Sequence, residues 1–239
     1  MNSTYIDCYS ASGSYPVSNL QDTRLSRTYR TNGKASTEYV HIVNTSTVTY
    51  ACILGHNLST SATVYVAGSD STWSTGAAFS TTMTVSTGIM VSTLGPSTYN
   101  YWRFRIDDTS TGTTYHEIGG LYLGTYLQLP GMKPDQTIAD ETTAKVTVSD
   151  GGQAYGDDGY NYRSPSVNFP YLVSTQRNEI RTMFNTVKNY TPVIAVIWEN
   201  ALTLEEPMYC ILDSKTLDWK KTGDVGKPWS VSLKLREVF

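Results

Sequence analysis

Charge is scarce in this chain: of 239 residues, 16% are Asp, Glu, Lys or Arg, and the balance at neutral pH is −3. With the two signs interspersed there is no long-range field to collect nucleic acid or anionic lipid. Cysteine is nearly missing. Cys8, Cys52 and Cys210 are odd in number, far apart and without metal-ligand spacing. That argues against a disulfide framework or a zinc knot and leaves three small side chains expected to be buried or neutral. Long hydrophobic runs are absent too: nothing approaches the roughly 20 apolar residues of a bilayer-spanning helix. The start, Met1-Asn2-Ser3-Thr4-Tyr5, lacks a basic segment followed by an apolar one. The chain is expected to be made in the cytosol and to be soluble.

Catalytic signatures are equally thin. Histidine, the usual proton carrier near neutral pH, occurs three times, and His41, His56 and His116 accompany no HExxH, GxSxG, phosphate loop or dinucleotide fingerprint. A structural role is expected for each. A glycosidase needs two carboxylates across one sugar ring. Asp107-Asp108, Asp157-Asp158 and Glu205-Glu206 are neighbours in turn-like stretches, and sequence neighbours cannot straddle a substrate. Asp157-Asp158-Gly159 lacks the alternating oxygen ligands of an EF-hand calcium loop and reads as a turn. No enzyme, cofactor or metal is expected.

What is abundant is hydroxyl and aromatic. Residues 1–125 hold 41 Ser and Thr against 18 in residues 126–239, while Lys plus Arg rises from 6 to 12 and Asp plus Glu from 7 to 14. Two domains with different surfaces are expected: a β-sandwich over 1–125, a Pro/Gly linker over 126–141 and an α+β domain over 142–239. The first half is not a flexible Ser/Thr stalk, because strand signals return regularly. In Tyr101-Trp102-Arg103-Phe104-Arg105-Ile106 one face takes Trp102, Phe104 and Ile106 and the other takes Tyr101 and the two arginines. Stretches 39–43, 50–54, 62–66 and 83–85 are similarly branched or aromatic, with turn residues between them. The fold class is mainly β, an antiparallel sandwich followed by one helix on a sheet.

That helix is expected at 175–189. Ile180, Met183, Phe184 and Val187 make one apolar stripe, and Ser174 or Thr175 can cap it. Pro192 ends it, and a fully buried strand is expected over 193–198. Lys145–Ser149 reads as a strand, Gly151–Gly159 as a long exposed loop, and Trp229–Arg236 as a strand with one wet face.

The 18 tyrosines and 5 tryptophans offer flat apolar faces with a polar edge, suited to sugar stacking or to protein contact. The candidate contacts are Trp73, Tyr99 and Tyr126, with Tyr101, in or near loops of the first half, and Tyr155 and Tyr160, with Tyr162, around the Gly/Asp loop. The competing reading makes each a half-buried cap on a sheet edge.

Several stretches together carry a resemblance. They are Asn19–Asp22 with Arg24–Arg30, Ile53-Leu54-Gly55-His56-Asn57-Leu58, Tyr101–Asp107 and Glu117-Ile118-Gly119-Gly120-Leu121-Tyr122-Leu123-Gly124. Over roughly residues 15–125 the chain resembles the discoidin-like jelly-roll modules of long-tailed bacteriophage tail proteins, which implies a carbohydrate-binding-module-like sandwich. Tyr162-Arg163, Ser166–Pro170, Thr191-Pro192-Val193 and Trp229–Glu237 make the second half similar to the ring-forming domain of distal tail or minor tail proteins. Distal tail proteins put that domain first, whereas here it comes last. The resemblance implies a non-enzymatic virion protein at the tail tip: a homo-oligomeric ring of six copies between tail tube and hub or baseplate, with DNA only passing through the lumen and a host-surface glycan as further partner. A free glycan-binding module is the alternative.

Overall fold

The computed structural model describes residues 5–8, 10–33, 35–44, 46–71, 77–110, 114–129, 137–200, 203–204, 207–221 and 228–238. They divide into two compact units. The first runs to Tyr126 and includes Ile197–Pro207; the second holds Leu127–Val196 and Met208–Val238.

The strands of the first unit are β1 (Tyr5–Cys8), β2 (Tyr29–Arg30), β3 (Thr37–Val43), β4 (Val48–His56), β5 (Thr63–Ser69), β6 (Phe79–Met83), β7 (Ile89–Ser97), β8 (Tyr101–Asp107) and β9 (Glu117–Gly124). They pair antiparallel into two sheets, ordered β1-β3-β8-β5-β6 and β2-β9-β4-β7. Strict alternation explains how the sheets face one another. β8 buries Trp102, Phe104 and Ile106, and β3 beside it buries Val40 and Ile42. These pack in one core with Ile53, Met90 and Leu121 of the other sheet. Each such side chain contributes about 1.5–3 kcal/mol by leaving water. The expected mainly-β sandwich is what forms.

β4 breaks the alternation: Ala51, Cys52, Ile53 and Leu54 are all buried. The reason is a second cover on its outer face. A Cβ at Gly120 would lie 3.3 Å from Leu25 Cδ2 and 3.4 Å from Leu54 Cδ1, and one at Gly119 would lie 3.1 Å from the Leu25 carbonyl oxygen. The Gly-Gly pair thus lets the 22–28 segment lie against the sheet. Burial lifts the Cys52 thiol to about 12. Cys8 is half-buried, and burial likewise pushes its thiol up.

The second unit contains β10 (Thr137–Thr142), β11 (Lys145–Val148), β12 (Ala154–Asp157), β13 (Asn161–Leu172), α1 (Ser174–Val187) and β14 (Val193–Ala195); after the short pair β15 (Trp198–Asn200) and β16 (Thr203–Leu204) it resumes with β17 (Met208–Leu212), β18 (Lys220–Lys221) and β19 (Trp229–Glu237). Its main sheet is antiparallel in the order β10-β13-β19-β17-β14, with β18 on β19. Val231, Leu233 and Leu235 point inward and Ser232 and Lys234 outward, as the alternation predicts. Arg163 grips the buried Glu237 through its backbone N–H (3.0 Å), Nε (3.0 Å) and Nη2 (2.6 Å). Burial pushes that carboxyl up, and the Arg163 bonds outweigh it, leaving it below the usual range.

Four expectations change here. Residues 137–141 of the expected linker belong to a strand, Thr137–Thr142, paired with Asn161–Ser166. The Gly/Asp stretch is not one loop: Gly152, at φ +78°, turns the chain so that 154–157 pairs back on 145–148. The helix is capped by neither Ser174 nor Thr175; the Val173 N–H donates instead to Gln176 Oε1 at 3.0 Å. The strand expected at 193–198 ends at Ala195 and is half-buried, being the outermost member of its sheet. The apolar stripe itself holds, with Ile180 fully buried and Met183, Phe184 and Val187 partly so.

Candidate functional site

Three connections of the first unit meet at one end of the sandwich through their described residues: 31–33 and 35–36 after β2, 57–62 after β4, and 108–110 and 114–116 before β9. The tight turn Ser12–Tyr15 joins them, its Ser12 N–H donating to the Arg30 carbonyl (2.8 Å) and the Arg30 N–H to the Tyr15 carbonyl (3.1 Å). β2 is only two residues long, and its register sets Arg30 opposite Glu117. The Arg30 guanidinium therefore reaches Glu117 twice, with Nη2 3.2 Å from Oε1 and Nε 3.0 Å from Oε2. Two rings bracket it: its Cζ lies 4.0 Å from the centroid of Tyr15 and 4.8 Å from that of Tyr115. Both tyrosines are half-exposed.

The layer beneath holds this arrangement in place. Asn57 Nδ2 donates to the Tyr115 carbonyl (3.0 Å), and Asn57 Oδ1 accepts from the Glu117 N–H (2.8 Å), so one side chain sets both residues. Asp108, 1% exposed, accepts from the Ser59 N–H (3.1 Å), Ser59 Oγ (2.9 Å) and the Ser110 N–H (2.9 Å), tying two of the loops together. Burial pushes the Asp108 carboxyl up, but these bonds from Ser110 and Ser59 outweigh it and hold the group below its usual range. His116 is fully buried with Nε2 3.9 Å from Asp108. Its N–H donates to Thr31 Oγ1 (2.9 Å), and its carbonyl accepts from the Thr31 N–H (3.0 Å).

The aromatics chosen from the sequence fall elsewhere. Tyr99 precedes β8, which begins at the opposite end, where Val43 of β3 pairs with Tyr101. It is partly buried against the core, its ring stacking on Phe79 at 6.3 Å and meeting the edge of Trp102 at 5.7 Å. Tyr126, 49% exposed, follows β9 at that same end. Trp73 lies outside the described residues. Tyr155 and Tyr160 are exposed in the second unit, where Tyr160 faces Tyr162 at 6.1 Å. Of the described candidates, Tyr99 and Tyr126 belong to the first unit and Tyr155 and Tyr160 to the second. Tyr15, Arg30, Tyr115 and Glu117 went unread, although Arg30 and Glu117 each border a stretch that carries the resemblance.

Chemically the cluster offers aromatic faces, a charged donor fork and a carboxylate acceptor on one side. Glu117 is held as the partner of Arg30. No group of three or more His, Cys, Asp or Glu is placed to hold a metal among the described residues. No described helix is long and apolar enough to cross a membrane.

No protein-family model and no curated protein matches the sequence. Among solved structures the chain is similar to chitosan-binding module 1 of a chitosanase/glucanase from Paenibacillus sp. IK-5, at 17% identity over 52% of this chain and 94% of that one, TM-score 0.42. It is similar to CBM32 of AlyQ, crystallised with 4,5-unsaturated mannuronic acid, at 18% identity over 52% and 97%, TM-score 0.42. It is also similar to the family 32 CBM of C. perfringens NanJ, in complex with galactose, at 14% identity over 50% and 91%, TM-score 0.41. The sandwich assignment rests on the strand pairing above and not on these likenesses.

Proposed function

We propose that the first unit is a carbohydrate-binding module and that the Tyr15–Arg30–Tyr115 stack with Glu117 is its recognition site. The carrying observation is one guanidinium on β2 between two half-exposed rings from the adjoining turns, beside a carboxylate on β9, all anchored from below. A sugar ring has apolar C–H faces and a rim of hydroxyls. The rings suit the faces, while Arg30 and Glu117 suit the hydroxyls as donor and acceptor. The solved modules named above are sugar binders by their own descriptions; this reading is built on the residues of the present chain. It is a binding role without turnover, since the one carboxylate at the site is committed to Arg30.

The test is a saccharide panel followed by calorimetric titration of the full chain. Tyr15→Ala and Tyr115→Ala should each weaken binding by roughly tenfold, about 1.4 kcal/mol, while Tyr126→Ala, at the other end, should leave it unchanged. A panel with no binder, or affinity indifferent to both tyrosine variants, overturns the reading.

A second reading draws on the exposed strands of the second unit. In it the chain is a structural virion protein of a long-tailed phage tail tip, a six-copy ring joining tail tube to hub or baseplate around a DNA-conducting lumen, with the sandwich available to a host glycan. Electron microscopy of particles labelled on this chain decides it: absence from the tail removes it.

A further inference from the structure

Asn32-Gly33 is the one place in the chain where asparagine precedes glycine. Both residues are exposed in the connection that follows β2, and Gly33 sits at φ +88° with nothing within 4 Å of where a Cβ would stand. Having no side chain, glycine shields its own backbone nitrogen least, and the open space leaves room for the Asn32 amide carbon to close on that nitrogen. The other asparagines differ. Asn57 is bonded at both ends of its amide, to the Tyr115 carbonyl and from the Glu117 N–H, and precedes leucine. Asn19 donates to the Thr28 carbonyl at 2.8 Å and also precedes leucine. Asn44 is 6% exposed and accepts from the Ser46 N–H at 2.9 Å.

The residue before the pair is fixed from the other side. Thr31 is buried; its N–H donates to the His116 carbonyl (3.0 Å), and its Oγ1 accepts from the His116 N–H (2.9 Å) and donates to the Gly33 carbonyl. One hydroxyl thus joins the turn at Gly33 to the backbone beside Tyr115. A change in the covalent path between Asn32 and Gly33 therefore acts on a bond that holds the connection before β9.

We propose that Asn32 is a site of spontaneous deamidation in the native chain. The Gly33 nitrogen gives up its proton and attacks Asn32 Cγ; the new C–N bond closes a succinimide ring while the bond to the side-chain amide nitrogen breaks, and ammonia leaves with that proton. Water then opens the ring, at one carbonyl to aspartate and at the other to isoaspartate, and nothing is oxidised or reduced. Either product adds a negative charge two residues from Arg30. Isoaspartate also inserts a methylene carbon into the main chain, which moves the Gly33 carbonyl away from the Thr31 hydroxyl. The modification stands without the saccharide reading; its effect on affinity rests on that reading.

The experiment is incubation of the full chain in mildly alkaline buffer, followed by peptide mapping with fragmentation that separates aspartate from isoaspartate. Asn32 should convert over days to weeks while Asn19, Asn44 and Asn57 keep their amides. Gly33→Ala should slow conversion at least about tenfold, about 1.4 kcal/mol in the barrier. Asn32→Gln, whose extra methylene disfavours ring closure, should abolish it at this position and melt as the native chain does. In the converted chain the His116 amide should exchange its hydrogen about two- to tenfold faster, the worth of one hydrogen bond. Asn32 intact in the native chain under conditions that convert the urea-unfolded chain, or converted no faster than Asn19 and Asn57, overturns the proposal. Conversion with unchanged exchange at His116 overturns the coupling through Thr31. Where the saccharide panel gives a binder, the converted chain should hold it about two- to tenfold more weakly; a panel without one removes the saccharide reading, and conversion of Asn32 is still decided by mass.

Discussion

Replacing Gly68 by alanine is a sharp test of where Tyr99 belongs. Gly68 pairs with Trp102 on one side and Phe79 on the other, and the Tyr99 ring lies directly over it. A Cβ there would stand 2.9 Å from both Tyr99 Cγ and Cε2 and closer still to Cδ2, where ordinary contact begins at 3.4 Å. The ring must therefore retreat by at least about half an ångström in a close-packed interior. It has little room, because Phe79 stacks on it and Trp102 meets it edge-on, with Trp102 Nε1 donating to the Tyr99 carbonyl at 3.2 Å. Overpacking of this kind costs about 1–3 kcal/mol, which lowers the melting temperature of a unit this size by roughly 3–15 °C. Calorimetry of the full chain measures it. Tyr99→Ala alone destabilises by leaving a cavity, but in that background Gly68→Ala should cost no more than about 0.5 kcal/mol, since nothing remains to collide with. Equal costs in the two backgrounds would refute the packing argument and reopen Tyr99 as a surface residue.

Three further outcomes are expected. Asn57→Ala removes the bonds to the Tyr115 carbonyl and from the Glu117 N–H, so it should cost about 1–3 kcal/mol by chemical denaturation and loosen Tyr115 and Glu117 as measured by hydrogen exchange. Glu237→Ala strands the bidentate Arg163 and should cost the second unit about 2–4 kcal/mol at neutral pH. Because the folded Glu237 carboxyl sits below its usual range, its contribution is present above about pH 4.3 and is lost as pH falls through the folded value, so native and variant melting curves should converge in acid. Glu38 has the opposite sign: it is 2% exposed, and burial pushes it up despite the bonds from Ser10 and the Ala35 backbone. Its favourable share is complete below the unfolded value and is lost as pH rises, so Glu38→Gln, which can keep the 3.0 Å bond from Ser10 Oγ, should stabilise the chain at neutral pH and do so progressively less toward pH 4.

Periodic elements were the legible part. The alternation in Tyr101–Ile106 and Trp229–Arg236 named the buried faces of β8 and β19 correctly, because a strand shows its environment two residues at a time. The stripe at Ile180, Met183, Phe184 and Val187 named the helix. Local chemistry misled where a longer-range partner took over. Gly151–Gly159 read as a loop from composition, yet Lys145–Val148 lies close enough to claim 154–157 as a return strand. The cap at Ser174 lost to Gln176, whose side chain reaches back to Val173.

The candidate site was the least visible. Tyr15, Arg30, Tyr115 and Glu117 are spread over about a hundred positions, and no spacing joins them. They meet because β2 docks on β9 in one register and Asn57 holds the loop between them. Exposure was likewise undecidable from composition: Tyr99 and Tyr126 look alike in the chain, and only the partner across Gly68 makes one of them core. The sequence by itself determined which residues alternate and where one helix runs, since those follow from neighbours a few positions apart. Tertiary structure alone decided which aromatics meet a guanidinium, which carboxylates are buried and which strands stay uncovered, because those depend on sheet order and register set by contacts far apart along the chain.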